Sequence, residues 1–125
     1  MTGVQTCALP ISAGFGAVAV TPDELGADWT GGRARLTLQQ RRSGGPTQSA
    51  DAAEGLHFHF GQLLAAAART RPLAAGTLLG SGGLYPAELL PGAGLPAGGV
   101  LRLDAKGADG HSVFGVLEQG VTEPQ

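Results

Sequence analysis

Glycine fills 22 of the 125 positions in this chain, against a usual share of about 7%, and alanine is nearly as frequent. That one feature limits what the chain can build. A buried Leu, Val or Phe contributes roughly 1.5–3 kcal/mol, whereas glycine offers no side chain to pack and alanine only a methyl group. Leu, Ile, Val and Phe together make just under a quarter of the sequence, barely above the share of about 20% below which disorder is expected. The expectation is a single domain with a thin apolar layer and many turns. Charged residues are 14% of the chain and the formal net charge is −2, so self-repulsion does not hold it open and a disordered polyelectrolyte is excluded.

The same arithmetic argues against several partners. There is no basic excess and aromatics are 5%, which speaks against nucleic acid. No run approaches the roughly 18–20 apolar residues of a membrane span. The one cysteine, Cys7, has no internal disulfide partner and no zinc spacing. No Lys or Arg precedes the first apolar run, as a secretory signal would require. A cytoplasmic chain, with no nucleic acid and no membrane, is expected.

Residues 1–11, Met-Thr-Gly-Val-Gln-Thr-Cys-Ala-Leu-Pro-Ile, show neither a helical nor a strand period. The string resembles the one-frame translation of a common short-read sequencing adapter. Residues 1–11 are therefore expected to be an artefact set apart from fold reasoning, and Cys7 to carry no role. The natural sequence is expected to continue upstream of Ser12, with 12–125 the C-terminal part of something longer.

Phe15 to Val20 is a short apolar run that predicts a strand. Thr21-Pro22-Asp23-Glu24-Leu25 predicts one helical turn: Thr21 can cap, Pro22 suits the first position, and two acids sit at the positive end of the dipole. Gly26 and Gly31-Gly32 stop it. From Arg33 to Arg42 the pattern alternates, with Leu36 and Leu38 on one face and Arg35, Thr37 and Gln39 on the other. The Ser43-Gly44-Gly45-Pro46 turn makes residues 33–42 and 46–50 a hairpin. His57-Phe58-His59-Phe60 alternates as a strand. Gly61 to Thr70 predicts the main helix, striped by Leu63, Leu64, Ala67 and Ala68 and stopped by Pro72. Thr77 to Gly80 is a short apolar strand. Residues 84–99 have no period. Val100–Leu103 and Ser112–Leu117 form a second hairpin across the turn Lys106–Gly110. The fold class is α+β, mostly β, with one main helix packed on a sheet.

Few residues suggest chemistry by themselves. His57 and His59 have an H-x-H spacing that can place two imidazoles on a metal, but no third ligand follows at a recognised spacing. Solvated or capping histidines are the favoured reading, and His59 stands just ahead of the helix where an acceptor could cap it. Gly80-Ser81-Gly82-Gly83 lacks the following helix and Lys of a phosphate loop. Its backbone could instead meet a small carboxylate, or it is a plain glycine turn. His111 follows Asp109 in the last turn, without the nucleophile a triad needs. Asp51 and Glu54, and Asp104 and Asp109, are spaced like loop and turn charges rather than as an E-x-E pair aimed at one cation.

Three segments together resemble the fumarylacetoacetate hydrolase family. They are Phe15 to Gly26, Leu56 to Gly82 with the "T-x-x-L-x-A-G" turn at Thr70–Gly76, and Val100 to Val121. The likeness spans most of residues 15–121. It implies a partial mixed β-roll with few helices, from a homodimeric parent whose members cleave or rearrange small β-diketo and oxo-acid substrates. In that family carboxylates hold Mg²⁺ or Ca²⁺ as a Lewis acid, and in the hydrolases a His–Glu pair activates water. It also implies that Ser81, Gly82 and Gly83 stand at a substrate-binding "S-G-T" turn, with Gly83 at the Thr position and so without its hydroxyl.

The departures define the remaining expectations. The family's E-x-E strand, further Asp ligands, catalytic His and active-site Lys correspond to sequence upstream of Phe15 and have no counterpart here. Glu88, the one acid in residues 84–99, is at the wrong spacing for the family's catalytic Glu, and His59 stands where the family usually has Asp. The expected function is a fragment of a metal-dependent hydrolase cleaving a C–C bond in a β-diketo acid such as fumarylacetoacetate. The fragment alone is expected to be inactive and metal-free, with no catalytic or metal-ligating residue of its own. The alternatives are a sister oxo-acid decarboxylase, hydratase or isomerase, and a non-enzymatic small β-domain that binds a partner.

Overall fold

The computed structural model describes residues 14–82 and 95–122. Readings that fall on residues 1–11, Gly83 and Glu88 lie outside the described part.

Among the described residues the fold is α+β, with mostly antiparallel strands and one short main helix. The chain enters through α1 (Pro22–Leu25), a 3-10 turn at Gly26–Asp28, and a small hairpin of β1 (Trp29–Thr30) and β2 (Arg33–Ala34). Next come β3 (Thr37–Arg42), β4 (Thr47–Asp51), α2 (Phe60–Ala68), β5 (Val100–Lys106) and β6 (Leu117–Gly120). The main sheet has the order β4-β3-β5-β6, every pair antiparallel. The central pairing, β3 with β5, joins strands separated by both β4 and α2 in sequence.

Register explains the layer. Leu38 stands opposite Ala50 and Ala105, and Gln40 opposite Gln48 and Leu103. Leu103 in turn faces Leu117. Directly opposed residues share a face, so Leu38, Leu103, Leu117 and the two alanines form one apolar side. The other side carries Gln39 with Ser49 and Asp104, and Arg41 with Thr47 and Arg102, and is polar apart from Val100 at its end. Arg102 Nη1 meets Glu118 Oε2 at 3.0 Å across the next pairing, an exposed pair worth well under about 1 kcal/mol. The layer is as thin as the composition implies. Leu36, 4% exposed, is the only fully buried apolar residue among the described ones, and its buried polar companion is Gln40.

Several expectations hold. The hairpin of residues 33–42 and 46–50 appears as β3–β4, α1 is a single turn stopped by Gly26 at φ 54, and α2 falls within the predicted helix to within two residues. Others need correction. The strand expected from Arg33 is broken after Ala34. The Arg35 N–H donates to Asp28 O at 2.7 Å, and β2 pairs with β1 before β3 begins. Thr21 adopts the cap conformation, but its side chain makes no cap bond; its carbonyl accepts from Glu24 and Leu25 instead.

Phe15–Val20 is not a strand. Gly14 lies against Gln119 of β6 and Gly16 against Phe114, in the stretch before β6 where the ladder is interrupted, and no ladder pairing forms along residues 15–20. Ser112–Leu117 is not a strand either; β6 starts at Leu117. Lys106 bridges Ser112 and Leu103 pairs with Leu117. The second arm therefore carries two extra residues, taken up as a bulge that includes Gly115 at φ 76. Asp104, assigned to a turn by its spacing, lies inside β5. Thr77–Gly80 pairs with no described strand; it leaves a turn in which Gly76 (φ 85) occupies the left-handed position, and Leu78 is 78% exposed.

No described helix is long and apolar enough to cross a membrane. Because Leu36 carries so much of the burial, Leu36→Ala is expected to lower unfolding free energy by about 2–4 kcal/mol. Leu78→Ala, at an exposed site, is expected to change it by less than about 0.5 kcal/mol. Urea denaturation followed by circular dichroism checks both.

Candidate functional site

The histidine pair resolves into two unlike roles. Residues 56–59 form no strand, so His57 and His59 do not share a strand face, nor do Phe58 and Phe60. The reason is a capping box that starts α2 one residue earlier than the glycine expected to open it. The Gln62 N–H donates to His59 Nδ1 at 3.2 Å, and the His59 N–H donates to Gln62 Oε1 at 3.0 Å. Phe58 is left 60% exposed, while Phe60 enters the helix and stacks on Trp29 with centroids 6.1 Å apart and planes 22° from parallel. His57 is exposed; its carbonyl accepts from the Arg33 guanidinium at 3.3 Å.

The hairpin that receives Phe60 was not read from the sequence, although its signal is there. Gly31 and Gly32, both at positive φ (61 and 71), form the two-residue turn that such a hairpin requires. The Gly32 carbonyl accepts the Phe60 N–H at 2.9 Å. A side chain at Gly32 would press on the His59 ring, whose Nδ1 lies 3.2 Å from where a Cβ would stand. Around this junction lies an open apolar hollow of about 710 Å³, walled by Trp29, Gly32, His59, Phe60, Leu64 and Leu79. Two residues beyond Leu79 stands Ser81, half-buried, followed by Gly82, exposed and at φ 90. Gly83, the remaining predicted substrate contact, lies outside the described residues.

A second cleft, about 570 Å³, lies between residues 18–28 and the β5–β6 turn, lined in part by Glu24, Asp28, Asp109, His111 and Ser112. It is braced by Asp28 Oδ2, which accepts the Ala108 N–H at 3.1 Å. Asp109 Oδ1 accepts the His111 N–H at 2.8 Å, and Asp109 Oδ2 meets His111 Nδ1 at 3.3 Å. The His111 backbone N–H, and secondarily the imidazole's charge and hydrogen bond, hold the Asp109 carboxyl below its usual 3.8. Ser112 is adjacent, but its hydroxyl donates to Asp104 Oδ1 at 2.5 Å, so it is not aimed at the imidazole as a triad serine would be. Asp51 Oδ1 is engaged in its own turn by the Ala53 N–H at 2.7 Å, and Glu54 is an exposed loop residue.

These carboxylates do not fit a hard divalent cation, which wants about six converging oxygens. Asp28, Asp51, Asp104 and Asp109 are each engaged locally, and among the described residues no three His, Cys, Asp or Glu side chains come together as a metal cluster. Compared with known proteins, the chain matches no family model, and no curated protein is found as a relative.

The Asp109 carboxyl is expected to titrate below 3.8. Since its folded value is the lower one, the support it gives the turn is present above the unfolded value and fades as pH falls through the folded value. Because the largest cause is a backbone N–H, His111→Ala is expected to leave most of the lowering in place. Carbon-detected NMR titration of the Asp109 carboxyl in both proteins checks this, and a return to 3.8 in the variant would contradict it.

Proposed function

We propose that this chain is the substrate-carboxylate-holding part of a metal-dependent C–C bond hydrolase resembling the fumarylacetoacetate hydrolase family, a partial β-roll from a homodimeric parent acting on a small β-diketo or oxo-acid. The observation that carries the reading is that Leu79, two residues before Ser81-Gly82 in the chain, lines the apolar hollow. A small oxo-acid needs a hydroxyl or backbone N–H groups for its carboxylate and an apolar wall for its carbon chain. Gly82 supplies a left-handed, exposed backbone, Ser81 a hydroxyl, and Leu79, Trp29 and Phe60 the wall.

The second and third of the segments that carry the resemblance are each bonded to residues 28–34, which lie between the first and the second. The one-turn helix region is bonded to the β5–β6 turn through Asp28 and Ala108, and α2 is docked on the β1–β2 hairpin through Phe60. In the parent, Mg²⁺ or Ca²⁺ would polarise the diketo oxygens; the carboxylates described here do not supply that site. This chain's share is to bind and orient the carboxylate end. In this reading the catalytic and metal-ligating residues belong to the rest of the parent.

Titration with pyruvate, read from amide chemical shifts at constant ionic strength, is expected to move Ser81 and Gly82 selectively. Ser81→Ala is expected to weaken that binding about fivefold, the worth of one hydrogen bond. The chain with Mg²⁺ is expected to leave acetylpyruvate uncleaved. Shifts no different from those produced by chloride would sink the carboxylate assignment. Cleavage by the purified chain would show that it holds its own catalytic groups.

A further inference from the structure

We propose that His59 makes the docking of α2 acid-sensitive. Most helix N-caps are Ser, Thr, Asp or Asn, whose side-chain oxygens go on accepting across the neutral and mildly acidic range. Here the acceptor is an imidazole nitrogen. The Gln62 N–H is shared between the His59 carbonyl at 3.0 Å and His59 Nδ1 at 3.2 Å, and the second bond requires Nδ1 to be bare and the ring neutral, with its proton on Nε2. Protonation places an N–H on Nδ1, opposed to the Gln62 N–H. Two donors then face each other, and a positive charge is set at the positive end of the helix dipole.

Nothing described nearby offsets that charge. The first turn of α2 carries no acidic residue. The groups facing His59 from the β1–β2 hairpin are the Gly31-Gly32 turn and Trp29, none of them charged. Arg33, a cation, is engaged instead by the His57 carbonyl at 3.3 Å. The reciprocal bond, from the His59 backbone N–H to Gln62 Oε1 at 3.0 Å, completes the capping box. The cap also fixes Phe60, whose N–H bonds Gly32 O and whose ring stacks on Trp29. Loss of the cap therefore loosens the hairpin–helix junction and the hollow whose wall it forms, and with it the approach to Ser81. This consequence at Ser81 rests on the functional reading above; the switch itself does not.

The test is amide hydrogen exchange of the full chain at about pH 8 and about pH 5, in the wild type and in His59→Asp, with fluorescence of Trp29, the only tryptophan, as a second readout. An N-cap contributes about 1 kcal/mol. The Gln62 amide protection factor is therefore expected to fall about fivefold on acidification in the wild type, together with a change in Trp29 emission. His59→Asp keeps an acceptor at both pH values and should show neither change; His57→Asn should leave the wild-type fall in place. An equal fall in wild type and His59→Asp, no fall in wild type, or an unprotected Gln62 amide at both pH values would each overturn the proposal. Pyruvate binding measured on the same samples separates the two readings. A switch without pyruvate binding leaves the acid sensitivity standing and removes only the assignment of Ser81.

Discussion

The β3–β5 ladder is the contact on which the remaining elements depend. β3 is bonded on both sides, to β4 from Thr37↔Asp51 to Arg41↔Thr47 and to β5 from Thr37↔Lys106 to Arg42↔Leu101. Leu36 and Gln40, the buried pair, lie in or beside it. A chain with so much glycine and alanine has little side-chain area to remove from water. Its order rests instead on backbone hydrogen bonds, which are individually modest in net worth but costly to leave unmade. This accounts for a sheet that is regular at its centre and irregular at its margins, where Phe15–Val20 and the bulge before β6 do not complete a ladder.

The smaller β1–β2 and α2 unit is held differently. One ring stack, one backbone bond from Phe60 to Gly32 and one guanidinium bond from Arg33 join it. No residue of α2 is buried, and Leu64 is 51% exposed. Helices this short gain most of their stability from packing or capping. With so little packing, the His59–Gln62 capping box carries an unusual share. Local stability is thus graded, from the β3–β5 centre to a loosely docked helix that shares its hollow with Leu79, just ahead of the candidate carboxylate turn, in keeping with binding elements being drawn from the less stable parts of a fold.

How far the sequence could be read follows from which signals are local. The β3–β4 hairpin was legible because alternation and the Ser43–Pro46 turn agree. α1 was legible because Pro22 and Gly26 bracket a single turn. The β5–β6 pairing was legible in outline, but its register was not. Ser112–Leu117 reads as a strand from its Val, Phe and Leu, but the two residues taken up in a bulge around Gly115 carry no local signal, so β6 begins only at Leu117. His57–Phe60 alternates like a strand, yet the capping box, a bond between residues three apart, decides the conformation. The possibility of a cap at His59 was read correctly, while its consequence for Phe58 and Phe60 was not. The β1–β2 hairpin was missed because Gly31-Gly32 was taken only as a helix stop. Of the candidate site, Ser81 and Gly82 came from family resemblance. The apolar hollow arises from Trp29, Phe60 and Leu79, which no sequence spacing connects.

The most direct test of this account is a residue-by-residue map of native-state amide hydrogen exchange at neutral pH. If the β3–β5 ladder organises the chain, amides that bond across its centre, among them Gln39, Arg41, Arg102 and Asp104, will be the slowest to exchange. Those of α2 beyond its capped first turn will open at least tenfold more readily, and residues 15–20 and 77–80 will exchange close to the rate of an unstructured peptide. Protection in α2 equal to or above that of β3 and β5, or a ladder centre that exchanges as fast as residues 77–80, would contradict it.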